Sequence, residues 1–146
     1  MTYNVKIKKL LPGAVTPSYG SAFAAGADLY ACLENEIEIA PGKTEFIHTG
    51  ISAEIPTGFA GLVFARSGLA CKKDLAPANK VGVIDSDYRG EIMVAIHNHG
   101  KQARTIANGE RIAQLLIMPY VTANFIESEA LSETKRGEGG FGSTGA

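Results

Sequence analysis

Residues 79–97 read NKVGVIDSDYRGEIMVAIH, and the fold turns on how this stretch is parsed. Ile92, Val94 and Ile96 share one parity, the period of two that marks a half-buried strand. Upstream, Val81, Val83 and Ile84 form another apolar run. Between the runs lies Asp85-Ser86-Asp87-Tyr88-Arg89-Gly90, whose Asp, Ser and Gly are turn formers. The parse is therefore strand, turn, strand, and the expected local structure is a hairpin.

The same period extends outward. Val5 and Ile7 alternate with lysines, and Ile37 and Ile39 with Glu36 and Glu38. Ile47, Ile51 and Ile55 keep one parity through EFIHTGISAEIP. Turn signals separate these runs: Leu-Pro-Gly at 11–13, Ala-Pro-Gly at 40–42, Pro-Thr-Gly at 56–58, His-Gly at 99–100 and Asn-Gly at 108–109. Many short strands at this spacing predict an all-β sandwich or jelly roll. One short helix is expected, around Ser67 to Lys73. From about Glu127 the chain turns polar, ESEALSETKRGEGG, so a body over 1–126 and an arm over 127–146 are expected.

The totals bound the function. A chain of 146 residues, 45% hydrophobic and 20% charged, can bury one real core. A net charge of −1 argues against a general nucleic-acid or membrane-surface binder. The apolar runs are too short to span a bilayer, and MTYNVKIKKL holds no apolar signal core. A cytoplasmic or other intracellular location is expected. Cys32 and Cys71 stand in no CxxC pair and read as free thiols.

Strand packing does not account for several residues. An acid, Asp85, directly follows the apolar Ile84, and a carboxylate at a strand end beside a pocket suits a general base. Tyr88 places a flat ring inside a turn, fit to lie against a sugar or base. Asn79 donates and accepts together, which suits a pyrimidine edge. In ARSGLA, 65–70, a surface turn with Ser67 as helix N-cap is the plain alternative to an anion site made by Arg66 and the helix-start N–H groups. In GERIAQLLI, 109–117, Gln114 is flanked by Ala113 and Leu115 and needs partners, in the core or on a ligand. The tail RGEGGFGSTGA spells G-x-G-x-x-G through Gly137, Gly139 and Gly142, but too few residues follow for the helix that a dinucleotide site requires. A narrower use survives, wrapping a phosphate with backbone N–H groups aided by Arg136. Pro41-Gly42-Lys43-Thr44 lacks the first glycine of a P-loop. His48, His97 and His99 read as solvated rather than as a metal set.

Taken in order, AGADL, ARSGLA, GVIDSDYRGEI, GERIAQLLI and RGEGGFGSTG closely resemble the five motifs of the trimeric dUTPases, the deoxyuridine 5′-triphosphate nucleotidohydrolases. The likeness runs from Ala25 to Gly145. Ala27 stands where an aromatic is common and Ala65 where proline is common. The resemblance implies a β-clip or jelly-roll subunit, a homotrimer with active sites at subunit interfaces, and a C-terminal arm that closes over the nucleotide. It implies Mg2+-assisted hydrolysis of dUTP to dUMP and pyrophosphate, which limits uracil in DNA and supplies dUMP for thymidylate synthesis. Under it Asp85 activates the attacking water. Asn79, Gly82 and Ile84 read uracil, Tyr88 packs under deoxyribose and Phe141 stacks on the base. Arg66, Ser67, Gly68, Gln114, Arg136, Ser143 and Thr144 hold the triphosphate. Asp28 orients the water shell of the metal or the site wall. Two alternatives stand beside this reading: a dCTP deaminase-like relative, and a catalytically idle nucleotide sensor of the same fold.

Overall fold

The computed structural model of the protein describes residues 2–140. Its elements are β1 (Lys6–Lys9), β2 (Ser18–Tyr19), β3 (Ala27–Tyr30), β4 (Ile37–Ile39), β5 (Thr44–His48), β6 (Ile51–Glu54), β7 (Phe59–Phe64), α1 (Ser67–Lys73), β8 (Leu75–Pro77), β9 (Val81–Ile84), β10 (Met93–Asn98), β11 (Arg104–Ile106) and β12 (Arg111–Pro119). The largest sheet has the order β2-β3-β12-β7-β9, a second runs β5-β10-β8, and β1-β6 and β11-β4 form separate pairs. Among the described residues the chain is therefore mostly β with one short helix, in line with its periodicity. Among the described residues no helix is long and apolar enough to cross a membrane.

The alternating run at 45–55 behaves as its parity predicts, and Ile47, Ile51 and Ile55 are all buried. It is nonetheless two strands. Gly50 adopts φ +68°, and a Cβ there would lie 2.9 Å from Ala14 Cβ, so only glycine fits the break. β5 then pairs with β10, while β6 pairs with β1. One run of sequence thus feeds two sheets with a common core between them, which is how a sandwich closes.

The stretch at 79–97 makes the turn that was expected, but the arms do not pair with each other. β9 pairs with β7, and β10 pairs with β5 and β8. The parting occurs at Asn79 and Lys80. The Ala78 N–H still donates to the Ala95 carbonyl (2.8 Å), then Lys80 takes φ 65° and the Lys80 N–H closes a turn onto the Pro77 carbonyl. That left-handed residue swings β9 away from β10. The hairpin is replaced by an open wedge whose two walls belong to different sheets.

The helix falls where expected, with Ser67 as its first residue rather than its N-cap. Arg66 holds the extended N-cap position and gives no side-chain cap. Leu69 anchors the helix to the core, Lys72 and Lys73 lie in its last turn, and Asp74 ends it with φ 58°. After Pro119 no strand or helix follows among the described residues, and residues 120–138 are exposed.

Candidate active site

The wedge encloses a cavity of about 240 Å³, with Asn79, Gly82, Ile84, Asp85 and Tyr88 in its lining and Glu91 to Ala95 on the opposite wall. Five residues singled out in the sequence are therefore together. β9 is the edge strand of its sheet, so its outer side faces this cavity instead of another strand. Gly82 stands opposite Val63, and Ile84 opposite Gly61. A Cβ on Gly82 would lie 3.3 Å from Val63 Cβ, and one on Gly61 would lie 3.3 Å from Ile84 Cβ. Gly82 and Ile84 both lie on this edge strand and in the wall of the wedge. The missing side chain of Gly82 leaves the strand open at this point, and Asn79 Nδ2 stands 3.4 Å from where its Cβ would be.

The turn after Ile84 is braced by its own backbone. The Tyr88 N–H donates to the Asp85 carbonyl (3.2 Å), and Arg89 Nη1 donates to the carbonyls of Ser86 (2.7 Å) and Tyr88 (3.0 Å). Ile84 is buried while Asp85 is exposed, so the carboxylate emerges where the strand leaves the core. The Tyr88 hydroxyl donates to the Glu91 carbonyl (2.9 Å), which lays the ring across Gly90. A Cβ on Gly90 would press on the Tyr88 hydroxyl, so the glycine leaves the ring room to lie there. Glu91 ties the wedge to the β5–β6 turn: one oxygen accepts from the Gly50 N–H (2.8 Å) and the other meets His48 Nδ1 (2.9 Å).

A second cluster gathers Arg66, Gly68, Lys72, Lys73 and Arg111 around a cavity of about 480 Å³. Asp28, on β3, accepts from Arg66 Nε (2.7 Å) and Arg111 Nη1 (3.2 Å). Its two oxygens are thereby engaged by arginines. Gln114 donates from Nε2 to the Ala65 carbonyl (2.8 Å), which holds the segment before Arg66 against β12. Its Oε1 sits 2.7 Å from where a Cβ of Gly26 would stand, which requires the glycine of AGADL. Ser67 is exposed at the helix start beside this cluster.

The two groups do not share a cavity, since the lining of the wedge and that of the Arg66 cluster have no residue in common. Arg136 is apart from both and donates from Nε to the Gly139 carbonyl (2.8 Å) within a local turn. Phe141, Ser143 and Thr144 lie outside the described residues. Arg111 escaped the sequence reading because a charge opening an apolar strand looks like an ordinary solvated end. Its signal was its place in GERIAQLLI, three residues before Gln114.

Among the described residues no three His, Cys, Asp or Glu side chains converge as a metal cage. His48 is engaged with Glu91, and His97 Nδ1 with Thr44 Oγ1 (2.8 Å), so the three histidines do not form one set.

A family model described as dUTPase matches residues 13–145. The deoxyuridine 5′-triphosphate nucleotidohydrolase of Desulfitobacterium hafniense is 52% identical over 130 residues, covering 88% of this chain and 86% of that protein. That of Syntrophotalea carbinolica is 46% identical over 144 residues, covering 99% of this chain and 98% of the relative. Among solved structures, a variant of the Staphylococcus bacteriophage 80alpha dUTPase with dUpNHpp superposes with a TM-score of 0.87 at 28% identity, covering 99% of this chain and 100% of that one. A variant dUTPase from phage phi11 of S. aureus, described with a structural Mg(II) ion, has the same fold, with a TM-score of 0.81 at 23% identity over 90% of this chain and 100% of that one. A cavity beside an exposed carboxylate, a cluster of arginines and this likeness over nearly the whole chain agree: the protein belongs to the dUTPase family and is a hydrolase of dUTP.

Proposed function

We propose that the enzyme cleaves dUTP to dUMP and pyrophosphate through water attack on the α-phosphorus, with Asp85 as the base. The observation that carries this reading is the open wedge, where an edge strand, a free carboxylate and a pinned ring meet. Uracil offers an edge of carbonyl, N–H and carbonyl. Gly82 and Ile84 lie on an edge strand that lines the cavity, and their backbone N–H and C=O groups, with the Asn79 amide, can pair with such an edge as another strand would. Cytosine reverses part of that polarity and would leave buried groups unpaired. The methyl of thymine would press on the wall made by β10. Tyr88, fixed by its bond to the Glu91 carbonyl, packs under deoxyribose and opposes a 2′-hydroxyl. Phe141 stacks on the base.

The triphosphate carries charge that Arg66, the Ser67 and Gly68 N–H groups and Gln114 meet, with Arg136, Ser143 and Thr144 added when the arm closes. Asp85 takes one proton from water as the oxygen bonds to the α-phosphorus. The bond from that phosphorus to the α,β-bridging oxygen breaks, and pyrophosphate leaves. Mg2+, when bound, neutralises charge on the phosphates. The donor set fits an ion that arrives with the substrate and keeps its waters, because Asp28 is already committed to two arginines and acts on such an ion only through water.

The working unit is a homotrimer, each site combining the wedge of one subunit with the arginine cluster of another and the arm of residues 127–146. Two observations favour it. The wedge and the arginine cluster are separate within one chain. Val121, Phe125, Ile126 and Leu131 expose 80–94% of their surface along the segment that follows β12, which calls for a covering partner. The chain works in an intracellular compartment on a free nucleotide. No observation favours the dCTP deaminase or idle-sensor alternatives.

The test is chromatography of products from dUTP, dCTP and UTP, with gel filtration of the enzyme. Equimolar dUMP and pyrophosphate from dUTP, with little turnover of the others, is expected from a particle of three chains. Deoxyuridine nucleotide formed from dCTP, or a fully active monomer, would overturn the respective part.

A further inference from the structure

Asp28, Arg66 and Arg111 come from three different elements and meet at one carboxylate. Asp28 Oδ1 accepts from Arg66 Nε at 2.7 Å, and Oδ2 accepts from Arg111 Nη1 at 3.2 Å. Arg66 Nη1 also donates to the Arg111 carbonyl at 3.3 Å. Exposure falls from Arg111 through Arg66 to Asp28, whose side chain is 12% exposed. The backbone supports this meeting. β12 shifts register against β3 between Arg111 and Ala113, and such an irregularity re-aims the side chain beside it.

We propose that Arg111 is a positioning residue that balances the charge of Asp28, so that this carboxylate orients Arg66 without cancelling its attraction for the triphosphate. The proposal rests on Arg66 as a phosphate ligand. A fork held at Nε by a carboxylate is fixed in its plane and keeps other N–H groups free to donate. That fixing has a cost. Asp28 and Arg66 alone sum to zero charge, and a polyanion approaching them would also meet the carboxylate. With Arg111 the three groups sum to one positive charge. Lys73 cannot replace it, because its Nζ is bonded to Glu110 Oε1 at 2.6 Å.

The experiment uses the full-length enzyme with Mg2+. It measures affinity for dUpNHpp, together with kcat and KM for dUTP, in Arg111→Gln, Arg111→Lys, Asp28→Asn and the double variant Asp28→Asn with Arg111→Gln. Arg66→Gln is the reference. Thermal melting reports folding of each variant. Arg111→Gln should bind roughly tenfold more weakly, the scale of one charged contact, with KM rising more than kcat falls. Arg111→Lys should recover most of the loss, since it restores the charge with fewer donors. The double variant should bind more tightly than Arg111→Gln, because the opposing carboxylate is gone. A double variant as weak as Arg111→Gln or weaker overturns charge balance. So does an equal loss in Arg111→Lys and Arg111→Gln, which would leave Arg111 only a role in shape. Wild-type affinity in Arg66→Gln would instead refute Arg66 as a phosphate ligand, a separate failure.

Discussion

The wedge beside Asp85 is held from two sides: β9 by β7, and β10 by β5 and β8. Its turn is closed by its own carbonyls, and its ring is laid over a glycine. The segment after Pro119 is built the opposite way. Its described hydrogen bonds after residue 127 join near neighbours, such as the Ser128 hydroxyl to the Ala130 carbonyl and Arg136 to the Gly139 carbonyl, and its apolar side chains face solvent. The residues around the wedge sit on strands or in a turn tied down by its own hydrogen bonds, where many contacts define them. Residues 120–138 sit on exposed chain with few contacts of its own, which suits groups that are ordered only when something covers them.

The largest effect should come from breaking the rigid side. Asp85→Asn keeps the shape of the wedge and removes the base. Turnover should fall by roughly 10²–10⁴, with nucleotide affinity within a few-fold. Single-turnover kinetics and analogue binding check both halves, and near-normal turnover would remove Asp85 from the role.

A chain ending at Lys135 breaks the other side. It should melt almost as the whole protein does, since none of residues 136–140 belongs to the core. Its turnover should fall by roughly a hundredfold, the scale of a lost positioning contact, while dUTP still binds more weakly. Equal activity of the shortened chain would return the arm to a simple tail.

Tyr88→Ala gives the smallest and most selective change. The ratio of kcat/KM for dUTP over UTP should narrow by roughly tenfold, because the wall under the sugar is gone while the base contacts remain. An unchanged ratio, measured by steady-state assay, would place the wall elsewhere.

Much of this was legible along the chain. Alternation at 91–97 and 45–55 announced strands because a sheet with one buried face repeats every two residues, and the short helix fell around Ser67 to Lys73 as expected. Asp85 stood out as an acid directly after the apolar Ile84, and Tyr88 as an aromatic inside a turn. The pairing of Asp28 with Arg66 was hidden, since 38 positions separate them and no local pattern links a carboxylate to a distant guanidinium. Arg111 was hidden for the same reason, with 83 positions between it and Asp28.

The sequence by itself determined the strand-rich class, the turn at 85–90, the residue types of the site and, through five ordered motifs, the family. Only the tertiary structure decided that the two arms of that turn part company. A period of two says which face of a strand is buried, but not which strand lies at its edge. Edge partners are chosen by the backbone path, here by Lys80 in a left-handed conformation and by the bond from Ala78 to Ala95 that ends the shared ladder. That choice leaves the outer edge of β9 facing a cavity instead of another strand.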